Sequence, residues 1–250
     1  MPPRPPSTSV CRFCAARPLG LCQSMKTEDE LRDLQMLQYR IKSYGPGKLI
    51  YGPHDPHAFV YNIISGWVAI SHDLLDGQRQ ISQFLTKGAI FGFRPEGLIS
   101  NGKSAIALDE VTVCAMPAAN LSVLINSHQQ LNRRLVWMLG RESLITENRL
   151  AFVGQTSALT RIANLLMELS VMATRKSAHV AGSQIRLPLT QSQIADATGL
   201  TAIHVNRMLR KLREDRVLDF HDGILTLMNP DALKTLAQLG DEIAAAWVID

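Results

Sequence analysis

Residues 187–210 read L-P-L-T-Q-S-Q-I-A-D-A-T-G-L-T-A-I-H-V-N-R-M-L-R. Thr190 and Gln193 stand three apart ahead of an apolar run, the capping-box spacing that opens a helix. Ala195 is small where a second helix must come close, Gly199 lies four residues on where the turn needs a positive φ, and Val205 anchors the second helix inward. Ile194, Leu200 and Met208 complete the small core. Together these offsets predict two helices, Gln191–Thr198 and Ala202–Glu214, joined as a helix-turn-helix. Beyond them, Leu218–Phe220 and Ile224–Leu227 flank His221-Asp222-Gly223, the composition of a hairpin wing.

Charge singles out the same helix. The chain has 250 residues and a net charge of +4, but from Ser157 onward ten basic residues balance ten acidic ones. Within that neutral stretch, Arg207, Arg210, Lys211, Arg213 and Arg216 face only Glu214 and Asp215. A basic helix in a neutral domain points to phosphate contact at one place. Residues in the first turns of such a helix enter the major groove, so with Thr201 as the DNA-facing cap, Ile203, His204, Asn206 and Arg207 are the candidate base readers. Arg207 suits guanine and Asn206 adenine. Arg210 and Lys211, further along with Arg213, suit phosphates.

Working back toward the N-terminus, an apolar residue recurs every seventh position at Leu124, Leu131, Met138, Ile145 and Phe152, with Leu135 beginning a second stripe. His128, Glu142 and Arg149 interrupt that second stripe. The pattern fits a polar coiled-coil seam for a homodimer, and equally a long helix buried against its own chain. From Ser43 to Met116 short β-rich runs alternate with turns: Lys48–Tyr51, Phe59–Ile64, Trp67–Ser71, Gln80–Phe84 and Val111–Met116. Gly45-Pro46-Gly47, Ser65-Gly66 and Asp76-Gly77 supply turns, and the whole reads as a small antiparallel barrel or jelly roll. A short helix is expected from Thr27 to about Tyr39.

The first 22 residues hold Cys11, Cys14 and Cys22, and the rest of the chain only Cys114. Four thiols with one C-x2-C pair suit a tetrahedral zinc or an iron–sulfur cluster. The opening M-P-P-R-P-P-S-T-S-V has no apolar signal region and no stretch approaches the roughly 18 apolar residues of a membrane span. A cytoplasmic chain without a membrane partner is therefore expected, and in a reducing compartment clustered cysteines point to metal before disulfide. No nucleophile elbow or phosphate loop occurs, and the seven histidines show no ligand spacing joined to a carboxylate motif, so an enzyme is not expected.

With barrel, seam helix and winged helix in this order, the chain resembles the CRP/FNR family of bacterial transcription regulators along nearly its whole length. S-G-W-V-A-I-S and D-G-Q-R-Q-I-S-Q-F-L-T-K-G-A-I-F-G-F look like the sensor barrel of its oxygen-responsive branch, and V-T-V-C-A-M-P is similar to the strand carrying that branch's fourth cysteine. The resemblance implies an α+β chain: a cysteine arm at 1–27, a cyclic-nucleotide-binding-like antiparallel β-roll at 28–116, a dimerisation helix at 117–156 and a winged helix-turn-helix at 157–250. It implies a [4Fe-4S] cluster on Cys11, Cys14, Cys22 and Cys114, with zinc as the alternative. The implied partners are double-stranded DNA with a two-fold operator, a second copy of the chain, and RNA polymerase through the Asp76-Gly77 turn. The implied activity is oxygen-controlled DNA binding.

Two departures stand out. Seven residues separate Cys14 from Cys22, and the recognition helix reads I-H-V-N-R where oxygen-sensing members show E-x-x-S-R. Arg207 keeps the family arginine, while Ile203 and Asn206 imply a different half-site. The cyclic-nucleotide branch would need a Gly-Glu and an Arg-Ser pair; residues 92–104 read G-F-R-P-E-G-L-I-S-N-G-K-S and offer only Lys103-Ser104 toward a phosphate.

Overall fold

The computed structural model describes residues 9–37, 39–55, 58–75, 77–93, 102–176 and 178–248. In chain order these form α1 (Ser9–Arg12), a 3-10 turn (Leu21–Ser24), α2 (Glu28–Met36), β1 (Arg40–Tyr44), β2 (Leu49–Tyr51), β3 (Phe59–Ser65), β4 (Trp67–Asp73), β5 (Arg79–Thr86), β6 (Ile90–Phe91), β7 (Ser104–Ala107) and β8 (Val111–Pro117). There follow α3 (Ala118–Ser127), α4 (Gln129–Gln155), α5 (Ala158–Thr174), β9 (Gln184–Arg186), α6 (Gln191–Thr198), α7 (Ala202–Glu214), β10 (Leu218–His221), β11 (Ile224–Leu227), α8 (Pro230–Leu236) and α9 (Asp241–Trp247). No described helix is long and apolar enough to cross a membrane. The described residues fall into two compact units, those within 9–73 and 85–140, and those within 74–84 and 141–248.

In the first unit two four-stranded sheets, ordered β1-β8-β3-β6 and β2-β7-β4-β5, make the roll. Residues 79–84 of β5 are counted with the second unit. V-T-V-C-A-M-P alternates with the period of a pleat, so β8 has two working faces. Val111, Val113 and Ala115 are buried inside the roll with Ile63, Val68, Ile70 and Phe91. Thr112 and Cys114 face the other way. Tyr61 stacks on Phe91 with ring centroids 5.2 Å apart, filling the roll's interior. The short strands β1, β6 and β7 carry little periodic signal and were not expected from sequence.

The arm and helices close over the roll's outer face. Thr27 caps α2 with Glu30 in a complete capping box. Leu21 and Met25 of the arm, Leu31 and Leu34 of α2, Met116 of β8, and Leu121, Leu124, Leu131, Leu135 and Met138 of α3 and α4 form one buried cluster. Gly20 and Gly88 let the arm lie against the roll: a Cβ on Gly88, at φ +89, would stand 2.7 Å from the Leu19 Cβ.

One expectation changes here, and of the two readings left open for the apolar face, burial against its own chain is the one seen. The helix expected to run unbroken from 117 divides at His128, which is extended (φ −123, ψ 98) and whose ring meets Asp33 at 3.0 Å. The seam expected from Leu124, Leu131, Leu135, Met138 and Ile145 is buried inside the chain, with Phe152 half-buried. Four of its residues complete the arm's own core. Seven-residue spacing records an apolar face but not what covers it. The apolar residues that α4 does present to solvent are Val136, Trp137, Leu139, Leu144 and Leu150.

In the second unit α5 is buried along nearly its whole length. Strands β10-β11-β9 form the wing, with one more strand than expected. Glu168 of α5 is fully buried and accepts two bonds from the Arg149 guanidinium of α4, one at 3.0 Å, while Arg149 also donates to the Ser82 carbonyl at 2.8 Å and lies over the Phe84 ring. Nearby, Arg141 donates to the carbonyls of Ala246 and Trp247, at the C-terminus of α9. A buried carboxylate stripped of its cation is costly, whereas the intact pair is close to neutral in net stability. Arg149→Leu is therefore expected to destabilise the protein by about 3–5 kcal/mol, read as a lowered denaturant midpoint. Glu168→Gln on the same background should recover part of that loss by removing the stranded charge.

Candidate functional site

The helix-turn-helix forms where the sequence places it, because its signals are local. Thr190 Oγ1 accepts from Gln193 N at 3.2 Å and Gln193 Oε1 from Thr190 N at 2.8 Å, the complete capping box. Gly199 ends α6 at φ +65, a left-handed position that suits glycine. Thr201 caps α7 by accepting from His204 N at 3.3 Å. Val205, Leu209 and Leu212 turn inward. On the opposite face Thr201, Ile203, His204, Asn206, Arg207, Arg210 and Lys211 are all exposed, Ile203 at 84%. Arg210 meets Glu214 at 3.4 Å and Arg213 meets Asp219 at 3.7 Å, both solvent pairs worth little. Asn206 Nδ2 donates to Gln191 Oε1 of α6 at 3.1 Å. Gln191 was not expected from sequence, since it adjoins the capping box without a role in it.

The second candidate site lies in the first unit. Cys11, Cys14, Cys22 and Cys114 all line one cavity of about 400 Å³, with Phe13, Arg17, Tyr39, Ile41, Asn62 and Thr112 also on its wall. Strand register explains this wall: Cys114 pairs with Ile41 of β1 and with Asn62 of β3, and opposed residues of antiparallel strands share a face. Thr112, two residues before Cys114, joins them. None of the four cysteines is in a disulfide. Among the described residues, no three of His, Cys, Asp and Glu are set closely enough to share a single metal ion. The thiols surround a space rather than meet at a point.

That environment favours neutral thiols. Burial pushes Cys22 up to about 12, helped by its neighbours Cys11 and Cys14, and burial likewise raises Cys114 and Cys11. Cys11 Sγ donates to the Tyr39 hydroxyl at 3.2 Å. Arg17 lowers the thiols of Cys11 and Cys22 and is fixed by a 2.9 Å bond to the Met25 carbonyl. Arg12 pairs with Glu28 at 3.0 Å on the surface. Tyr39, Ile41 and Asn62 carry no sequence signal of their own; strand register reveals Ile41 and Asn62, and the bond from Cys11 reveals Tyr39. Of the stretch weighed for a cyclic nucleotide, 94–101 lies outside the described residues, as do Asp76 and His57; Ser104 is buried in β7.

Comparison with known proteins agrees with the roll and with the helix-turn-helix. The Crp-like helix-turn-helix domain model matches residues 160–236 and the cyclic nucleotide-binding domain model matches residues 41–128. The nitrogen fixation regulation protein FixK of Rhizobium meliloti is 30% identical over 78% of this chain and 86% of its own length. The transcriptional activator protein FnrL of Cereibacter sphaeroides is 25% identical over 93% of this chain and 92% of its own. Among solved structures, FixK2 from Bradyrhizobium japonicum superposes with a TM-score of 0.70 at 30% identity, covering 81% of this chain and 98% of that one. With its roll, long helix and exposed basic recognition helix, the chain belongs to the CRP/FNR family of DNA-binding transcription regulators.

Proposed function

We propose that this regulator responds to oxygen through a [4Fe-4S] cluster held by Cys11, Cys14, Cys22 and Cys114. The observation that carries the reading is the convergence of all four cysteines of the chain on one cavity far larger than a single ion fills. A spread of thiols around a space suits a cubane better than zinc, which would draw all four sulfurs to about 2.3 Å from one point. Bound there, the cluster supplies oxygen-labile bonds between the arm and β8.

The chain's own residues then do the coupling. Arg134 of α4 donates to the Leu19 carbonyl at 3.2 Å and lies over the Trp137 ring, 4.5 Å from its centroid. Trp137 belongs to the exposed apolar set of α4, so a docked arm bears on the surface through which two copies pair. Release of the arm withdraws Leu21 and Met25 from the core they share with Leu131, Leu135 and Met138, and loosens α4. A dimer, in this reading, pairs through Val136, Trp137, Leu144 and Leu150 and presents two α7 helices to a two-fold operator. Arg207 takes a guanine, Asn206 an adenine and Ile203 a thymine methyl, with Thr201 and His204 beside them, while Arg210 and Lys211 hold phosphates. RNA polymerase is the further partner, and the chain works in the cytoplasm without catalysing a reaction.

Protein purified without air should contain iron and sulfide in equal amounts and lose its visible absorption on exposure to air, and Cys114→Ser should abolish both. Zinc without sulfide, or a spectrum indifferent to air, overturns the cluster. Arg134→Ala should keep the iron yet weaken dimerisation, measured by sedimentation across a concentration series, because it removes a charge-assisted bond of about 1.5–3 kcal/mol. Arg207→Ala should cost about 1–3 kcal/mol at one base position, whereas Lys211→Ala should weaken binding to all sequences and lower the salt slope by about one.

A further inference from the structure

We infer that Gln191, on the first helix of the helix-turn-helix, sets base specificity by holding the Asn206 amide in one orientation. The inference rests on reading α7 as the helix that enters the groove.

An asparagine amide has two faces of opposite meaning. It reads adenine only when its oxygen accepts from N6 and its nitrogen donates to N7. Turned over, it sets donor against donor and acceptor against acceptor. A solvent-exposed Asn206 without a neighbour would sample both orientations, since the terminal torsion is broad and nearly two-fold. Here the nitrogen faces an acceptor: Asn206 Nδ2 donates to Gln191 Oε1 at 3.1 Å. One amide hydrogen faces α6, which leaves the Oδ1 and the second hydrogen to meet a base.

Gln191 is itself well placed to impose this. It is the first residue of α6, directly after Thr190, whose two capping-box bonds fix the path of the backbone there. Asn206 is one turn into α7, on a helix seated by Val205 and Leu209. The bond therefore ties two side chains whose backbones are both held. Gln191 is a positioning residue: its oxygen is spent on Asn206, and Asn206 makes the base contact. The pair also gives I-H-V-N-R a reader of its own in place of the family's serine.

The test uses full-length protein purified without air and duplexes selected by it from a random pool, each then varied through all four bases at every half-site position. Wild type should prefer adenine at one position by about 5- to 150-fold, the range of a bidentate contact. Asn206→Ala and Gln191→Ala should each bring that preference down to about threefold or less at the same position, with the double variant no worse than either single one. Gln191→Glu keeps an acceptor for Asn206, so it should retain the preference while weakening binding to every sequence. Uniform loss of affinity in Gln191→Ala with a shallower salt slope would make it a phosphate contact and overturn the proposal. A preference left intact in Gln191→Ala overturns it as well. A wild-type protein with no base preference anywhere overturns the reading of α7 itself.

Discussion

The alternation along β8 is the constraint from which the sensor unit follows. Because successive side chains of a strand point to opposite faces, Val113 and Ala115 can fill the roll only if Cys114 is turned outward. A shift of one residue in register would bury the thiol and expose the valine. Pairing with both β1 and β3 prevents that shift. The outward thiol then has Ile41, Asn62 and Thr112 as neighbours, and the arm that brings the other three cysteines packs on the same outer side through Leu21 and Met25. One strand thus joins the roll's interior to the cysteine cavity.

How much of this was legible in the sequence depended on the range of the interaction concerned. The helix-turn-helix was readable almost to the residue because a capping box, a left-handed glycine and an inward valine act over a few positions. The cysteines were readable as a set, since three stand within the first 22 residues and the fourth alone at 114, but not their surroundings. Tyr39, Asn62 and Arg134 acquire meaning only through tertiary contacts. Periodicity found the apolar face of α4 correctly and left its partner open; the arm and roll, not a second chain, cover Leu131, Leu135 and Met138. The short strands escaped notice because two to five residues carry too little alternation to stand out.

The DNA-facing surface shows how small a charge excess can define a function. The C-terminal part of the chain is neutral overall, yet four of its ten basic residues, Arg207, Arg210, Lys211 and Arg213, are gathered on the exposed side of one helix whose other side is apolar. Field strength near a phosphate depends on that local gathering, not on the total. The solvent pairs Arg210–Glu214 and Arg213–Asp219 cost little to exchange for a phosphate, so they leave the surface ready for use.

The bond between Arg149 and Glu168 bears on accuracy more than on strength. Two apolar helices in contact can slide or roll by an ångström with little change in energy, because dispersion has no preferred direction. A guanidinium fork against a carboxylate behaves as a keyway: both bonds form only when the two planes coincide, and a small rotation breaks one of them. Enclosed where water cannot substitute, the mismatch is felt in full. The alignment of α5 on the end of α4 is in this way specified chemically, and a change at either partner would blur it long before the domain came apart.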